Sequence, residues 1–238
     1  MKQYTLLLII VLMLLNFQMS LAQKIKGSGN IIKVEREIEA FTGLRTRSFV
    51  DVELVQGPFK LEIEAEDNIV EYVETRVVKE NLIIEMDEDV KIKTEKPVKI
   101  YLQLPDLKFA EVSDVSKLST KSVIKIEELK IEATGASKSN FILDVKTLRI
   151  SLSGSSSLRA TGYAVRQKIK MEEASKYEAS QLKSEDIDIA ASSASKAEIL
   201  AFNSIFGDLS EASQCVYYGE PKKVDVSTSD AASISQLK

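Results

Sequence analysis

The chain has 238 residues and a net charge of −4, with Lys/Arg and Asp/Glu interspersed. That length allows one large all-β domain or two small ones, and no basic block offers a nucleic-acid surface. With no His, no Trp and 6% aromatic residues, His-based triads and His-ligated metals are excluded, and stacking platforms for bases or sugars are scarce.

Residues 1–22 read as a signal peptide. Lys2 supplies the positive start, residues 4–15 the apolar run, and Ser20-Leu21-Ala22 a small-x-small cleavage site. The apolar run is too short for an ordinary span. Cleavage is expected after Ala22, leaving Gln23 at the mature terminus, with an uncleaved anchor as the alternative. The one cysteine, Cys215, is far from that terminus, so lipidation is not expected. It permits neither an internal disulfide nor a thiolate zinc site, and it is expected to be a small buried hydrophobe.

Residues 23–111 form an N-terminal β-strand region. In "FVDVELVQG", Val50, Val52 and Leu54 alternate with Asp51 and Glu53; in "FKLEIEAE", Phe59, Leu61, Ile63 and Ala65 share one face. Such a period of two marks half-buried strands. Gly57-Pro58 reads as a turn and Lys96-Pro97 as a break. "EDNIVEYVET" is one candidate helical turn, with Asp67 or Asn68 as cap and Ile69, Val70 and Val73 at helical spacing.

Residues 112–238 are richer in Ser, Ala and Lys, and a motif recurs. Its marker is Ser116, Ser137, Ser156, Ser175, Ser195, Ser213 and Ala232, at intervals of 18 to 21 residues. The preceding residue is small or β-branched, and the following one is polar. An alternating strand lies upstream of most markers, as in "LKIEA", "LRISLS", "IDIAAS" and "VDVST". A period near 20 is the mark of a solenoid. It is too short for a strand–helix–strand crossover but fits three short strands and three tight turns. The fold predicted is therefore all-β: a right-handed parallel β-helix of about seven coils, roughly 4.8 Å apart, capped or continued by the N-terminal half. Leu118, Leu129, Ile131, Leu148, Ile150, Ile169, Ile187, Ile189, Val224 and Val226 are expected to fill the core. The marker serines are expected at a narrow corner, hydrogen-bonded along the stack.

The segment "GSGNIIKVEREIEAFTGLRTRSFVDVELVQG", then "EDNIVEYVETRVVKENLIIE", then the "GASK"-type repeats together resemble the putative auto-transporter adhesin, head GIN domain family, typical of Bacteroidota. The resemblance implies a secreted or cell-envelope β-helix, periplasmic, outer-surface or released, and supplies no catalytic residues. The chain departs from the pattern where Asp114, Glu173, Ser193, Glu211 and Asp230 replace the glycine kept at Gly135 and Gly154. A strict left-handed backbone is therefore not expected in that column.

Chemistry offers few candidates. Ser193 and Lys196 match S-x-x-K, but so do Ser180 and Lys183, and the accompanying S-D-N and K-T-G elements are absent. The pairs Glu127/Glu128, Glu172/Glu173 and Asp186/Asp188 are expected to be solvated residues of alternating strands. A polysaccharide lyase or hydrolase using such carboxylates on adjacent coils is the alternative. Lys117, Lys138, Lys176 and Lys196 would form a ladder, interrupted by Ser157, with Asp114, Glu173 and Glu211 near the same corner. It would either recognise a repeating anion such as an acidic glycan or serve as a soluble turn column. The expectation is a protein that is not an enzyme, with no catalytic, metal or cofactor site. Its expected partner is a glycan or other cell-surface polymer, not nucleic acid. Weak end-to-end self-association through unpaired coil edges is also expected.

Overall fold

The computed structural model describes residues 23–238; the expected signal peptide and its cleavage site after Ala22 lie outside the described residues. The N-terminal half comprises β1 (Gln23–Lys26), β2 (Ile31–Arg36), β3 (Gly43–Thr46), β4 (Val50–Gln56), β5 (Lys60–Glu66), β6 (Val73–Val78), β7 (Asn81–Met86), β8 (Val90–Lys93) and β9 (Val98–Leu104). Alternation places Val50, Val52 and Leu54 of β4, and Leu61, Ile63 and Ala65 of β5, in the core. Phe59 precedes β5 and stays exposed beside Phe41, ring centroids 5.3 Å apart. The expected helical turn reduces to a single 3-10 turn at Val70–Tyr72 that starts at Ile69 without a side-chain cap. The foreseen caps are occupied elsewhere: Asp67 accepts from Ser28 Oγ, and Asn68 Oδ1 accepts from the Ser28 N–H.

The C-terminal half continues with β10 (Phe109–Val112), β11 (Lys117–Thr120), β12 (Ile124–Ala133), β13 (Lys138–Leu152), β14 (Ser157–Met171), β15 (Lys176–Ala191), β16 (Lys196–Leu209), β17 (Gln214–Tyr218), β18 (Lys223–Thr228) and β19 (Ser233–Gln236). All strands except β1 and β8, which pair with each other, belong to one 17-stranded sheet wound into a parallel β-helix of about seven turns. Each repeat has one tight turn, not three. In the central coils the other corners are bends within strands of 14 to 16 residues, and at one of the corners pairing lapses at Glu127, Lys146, Val165 and Glu185. The backbone thereby keeps most of its ladder hydrogen bonds around the coil.

The N-terminal half both continues and caps the stack. The rung β3–β4 lies between β7–β9 on one side and β10–β11 on the other: Leu54 faces Leu102 and Thr120. Antiparallel strands then close that end, β5 on β9, β2 on β5 and β6 on β7. At the other end β18 pairs with β16 and β19 with β17 among the described residues. Val224 is consequently 41% exposed and Val226 only half-buried, whereas the other expected core residues are buried.

The turn column departs from expectation. Ser48, Asp114, Gly135, Gly154, Glu173, Ser193, Glu211 and Asp230 all have positive φ, between 50° and 70°. The left-handed penalty of a side chain, roughly 1–2 kcal/mol, is accepted because the turns are tied to neighbouring coils and most of them are closed on themselves. Ser116 N–H donates to Ser113 O at 3.1 Å, for example, and Ser195 N–H to Ser192 O at 3.2 Å. In the early turns the central amide donates to the preceding coil, Ala136 N–H to Asp114 O and Ser155 N–H to Gly135 O, both at 2.7 Å. In the later turns Ala194, Ala212 and Ala231 are left-handed too. There the direction reverses, with Ala194 N–H donating to Glu211 O and Ala212 N–H to Asp230 O, both at 2.8 Å.

The marker serines are buried at the corner, as their size requires. They do not form the expected hydrogen-bonded file. Ser116 Oγ donates to Ser113 O at 2.6 Å and Ser213 Oγ to Ala191 O at 3.0 Å. Among the described residues, the hydroxyls of Ser137, Ser156, Ser175 and Ser195 have no partner. Successive rungs stand about 4.8 Å apart, too far for one hydroxyl to reach the next directly.

Candidate binding surface

The register places Lys117 beside Lys138, Lys138 beside Ser157, Ser157 beside Lys176 and Lys176 beside Lys196. The ladder exists, but two of its four charges are engaged. Lys117 Nζ lies 2.9 Å from Asp51 Oδ2, and Lys176 pairs with Glu178. Glu178 raises the Lys176 pKa, and Lys176 together with Arg159 lowers that of Glu178. Lys138 and Lys196 are exposed. Two of the three acids foreseen as spacers are used within the turn column instead. Asp114 Oδ2 accepts from the Ser48 N–H at 2.8 Å, and Glu211 Oε2 from Ser193 Oγ at 2.6 Å. Ser193 is thus a turn residue hydrogen-bonded to the next coil.

Two of the carboxylate pairs stand on outward positions, and three of their four carboxylates meet cations. Glu127 meets Lys146 at 2.7 Å, Glu128 meets Arg149 at 2.5 Å, and Glu172 meets Lys170 at 2.8 Å. Cys215 is buried, and desolvation pushes its thiol pKa up to about 12.

The third pair lies elsewhere. Asp186 and Asp188 line a groove of about 670 Å³ across β14, β15, β16 and the approach to β18. A β-bulge shapes it: Ser184 faces Ala201 while Asp186 faces Ser204, so β16 carries one extra residue there and bends. Asn203 Nδ2 donates to Asp186 Oδ1 at 2.7 Å, and Ser204 Oγ donates to the same oxygen at 2.5 Å. These hydrogen bonds, Ser204's first, hold the Asp186 carboxyl below its ordinary pKa, helped by the charges of Arg166 and Lys222. Phe206 is 39% exposed in the groove. Lys223 Nζ stands 4.7 Å from its ring centroid and 3.0 Å from Asp225 Oδ2. Lys168 and Asp188 are 3.9 Å apart. Arg166 and Lys222 also line the groove, and neither forms an ion pair within 4.0 Å among the described residues.

Sequence reasoning found Asp186 and Asp188 but not their neighbours. Lys222-Lys223 was a visible signal; its alignment with Arg166 needed the register across the bulge.

Comparison with known proteins bears on the family and the fold. Residues 40–221 match the family model described as "Putative auto-transporter adhesin, head GIN domain". No curated protein matches the chain. Among solved structures, a putative adhesin from Bacteroides fragilis NCTC 9343 is similar at 19% identity and TM-score 0.84, over 90% of this chain and 100% of that one. A putative lipid binding protein from Parabacteroides distasonis ATCC 8503 is similar at 17% identity and TM-score 0.74, over 91% and 100%. A putative adhesin from Parabacteroides merdae ATCC 43184 is similar at 16% identity and TM-score 0.75, over 91% and 100%. Identities this low speak for the fold alone.

Proposed function

The chain belongs to the putative auto-transporter adhesin, head GIN domain family, and from that premise we propose an exported, non-enzymatic protein that holds a cell-surface polymer on its outer face. The observation that carries the binding reading is the state of Asp186. A general acid or base works best with a pKa near the operating pH. Asp186 is shifted the other way by two neutral donors and two cations. The groove therefore has fixed charge and hydrogen-bonding capacity but lacks a poised proton carrier at that position. Glu127 and Glu128 stand on a solvated strand face with cationic partners, and Glu172 and Glu173 are exposed at a turn, which favours the same reading.

The test is incubation of the protein with acidic and neutral polysaccharides, followed by assays for reducing ends and unsaturated products. Retention of polymer without product is expected. Product formation abolished by Asp186→Asn or Asp188→Asn would establish the lyase or hydrolase reading instead. Export is tested by mass spectrometry of the protein recovered from the cell envelope or medium, with Gln23 expected at its N-terminus. Because one structural neighbour is named for lipid binding, anionic vesicles belong in the binding panel.

A further inference from the structure

We propose that the groove walled by Arg166 and Lys222 is a subsite for one acidic sugar residue. The proposal rests on the polymer-binding reading above and names the ligand chemistry and the place.

Three features support it. The first is charge. Arg166 lies one rung before Asp186, and Lys222, which precedes the Lys223 paired with Ser204, approaches from the opposite side. Asp186 already accepts hydrogen bonds from Asn203 and Ser204 on one oxygen. One carboxylate cannot neutralise two cations, so this cluster keeps a surplus positive charge at the mouth of a concave site. The planar Arg166 guanidinium suits a carboxylate or sulfate, which it can meet through two parallel N–H donors.

The second feature is the ring. Phe206 is exposed beside these cations, with its charged neighbour Lys223 on the ring at 4.7 Å. A pyranose offers a C–H face for the remaining ring surface while its acidic substituent meets Arg166 and Lys222. The third feature is polarity. Among the described residues no donor meets the Asn203 amide oxygen, which can accept a sugar hydroxyl while its nitrogen serves Asp186. Phe206 and the buried Ile187 are the apolar residues of the lining, and the aliphatic stems of its lysines and arginine add further apolar surface on which a sugar's C–H face can rest.

The experiment is calorimetric titration of the protein with four probes: a galacturonate oligosaccharide, a sulfated oligosaccharide, a neutral cello-oligosaccharide, and vesicles containing phosphatidylglycerol. Acidic oligosaccharides are expected to bind about tenfold or more tightly than the neutral one, and less tightly as salt rises. The uronate and sulfate arms identify the anionic group. Arg166→Ala/Lys222→Ala should weaken acidic binding by about tenfold or more, with thermal unfolding checked to show an intact fold. Phe206→Ala should weaken binding of every saccharide. Lys138→Glu/Lys196→Glu should leave it unchanged. Equal binding of neutral and acidic probes would overturn the charge assignment but spare the polymer-binding reading. Loss of binding only in the Lys138/Lys196 variant would move the site to the ladder. No saccharide binding would overturn both, and binding confined to vesicles would replace the sugar with a lipid surface.

Discussion

Gly154 stacks so closely on Gly135 that a Cβ on Gly154 would lie 2.8 Å from the Gly135 carbonyl oxygen and 2.9 Å from its nitrogen. Both residues have left-handed φ, 70° and 68°. The backbone of one coil here rests directly on that of the next, which leaves no soft side chain to give way.

Gly154→Ala is therefore expected to destabilise the fold by about 1–3 kcal/mol through close contact and backbone strain. Glu173, the next residue in the column, has φ 60° and already carries its side chain. Glu173→Gly should be neutral or stabilising by up to about 1 kcal/mol, because glycine removes the left-handed penalty at some cost in chain entropy. Thermal unfolding of the two variants checks the opposite signs.

The buried serines should divide by partner. Ser213→Ala removes a hydroxyl bonded to Ala191 O at 3.0 Å and is expected to cost about 1 kcal/mol. Ser175→Ala removes a buried hydroxyl with no protein partner and should be neutral or stabilising. Urea unfolding of each variant measures the difference; a large loss for Ser175→Ala would reveal an ordered internal water.

Inside the solenoid, Tyr177 Oη donates to Gln167 Oε1 and Gln167 Nε2 to Ser184 Oγ, both at 2.6 Å and fully buried. Gln167 occupies a column otherwise filled by Leu129, Leu148, Ile187 and Ile205. Gln167→Leu should nevertheless destabilise by about 1–3 kcal/mol, because it strands the Tyr177 hydroxyl. Adding Tyr177→Phe and Ser184→Ala removes every stranded group and should recover most of the loss. Comparison of the single and triple variants by denaturant unfolding checks this.

Asp186 should contribute to acid stability. Its folded pKa lies below its ordinary value, mainly through Ser204 and Asn203. The contribution is present above the unfolded pKa, about 3.9, and is lost as pH falls through the lower folded value. Asn203→Ala should raise the Asp186 pKa, lower stability at neutral pH, and flatten the loss of stability below about pH 4. Carboxyl NMR titration and acid unfolding measure the two effects.

The sequence alone determined the repeat, and with it the β-helix. A stacked coil needs a small residue wherever the chain turns sharply, so the Ser column is legible as a period. Alternation likewise fixed which residues of β4, β5 and the long strands point inward. Three things were decided only by tertiary structure. Insertion of β3–β4 between β7–β9 and β10–β11 depends on pairing between distant segments, which no local pattern encodes. The left-handed turns at Glu173 and Ser193 run against local preference; inter-coil hydrogen bonds supplied by neighbours impose them. The groove depends on one extra residue at the Asn203 bulge, which shifts the register and brings Arg166, Asp186 and Lys222 to one place. A ladder of lysines follows from counting; a site built across a bulge follows from where the strands meet.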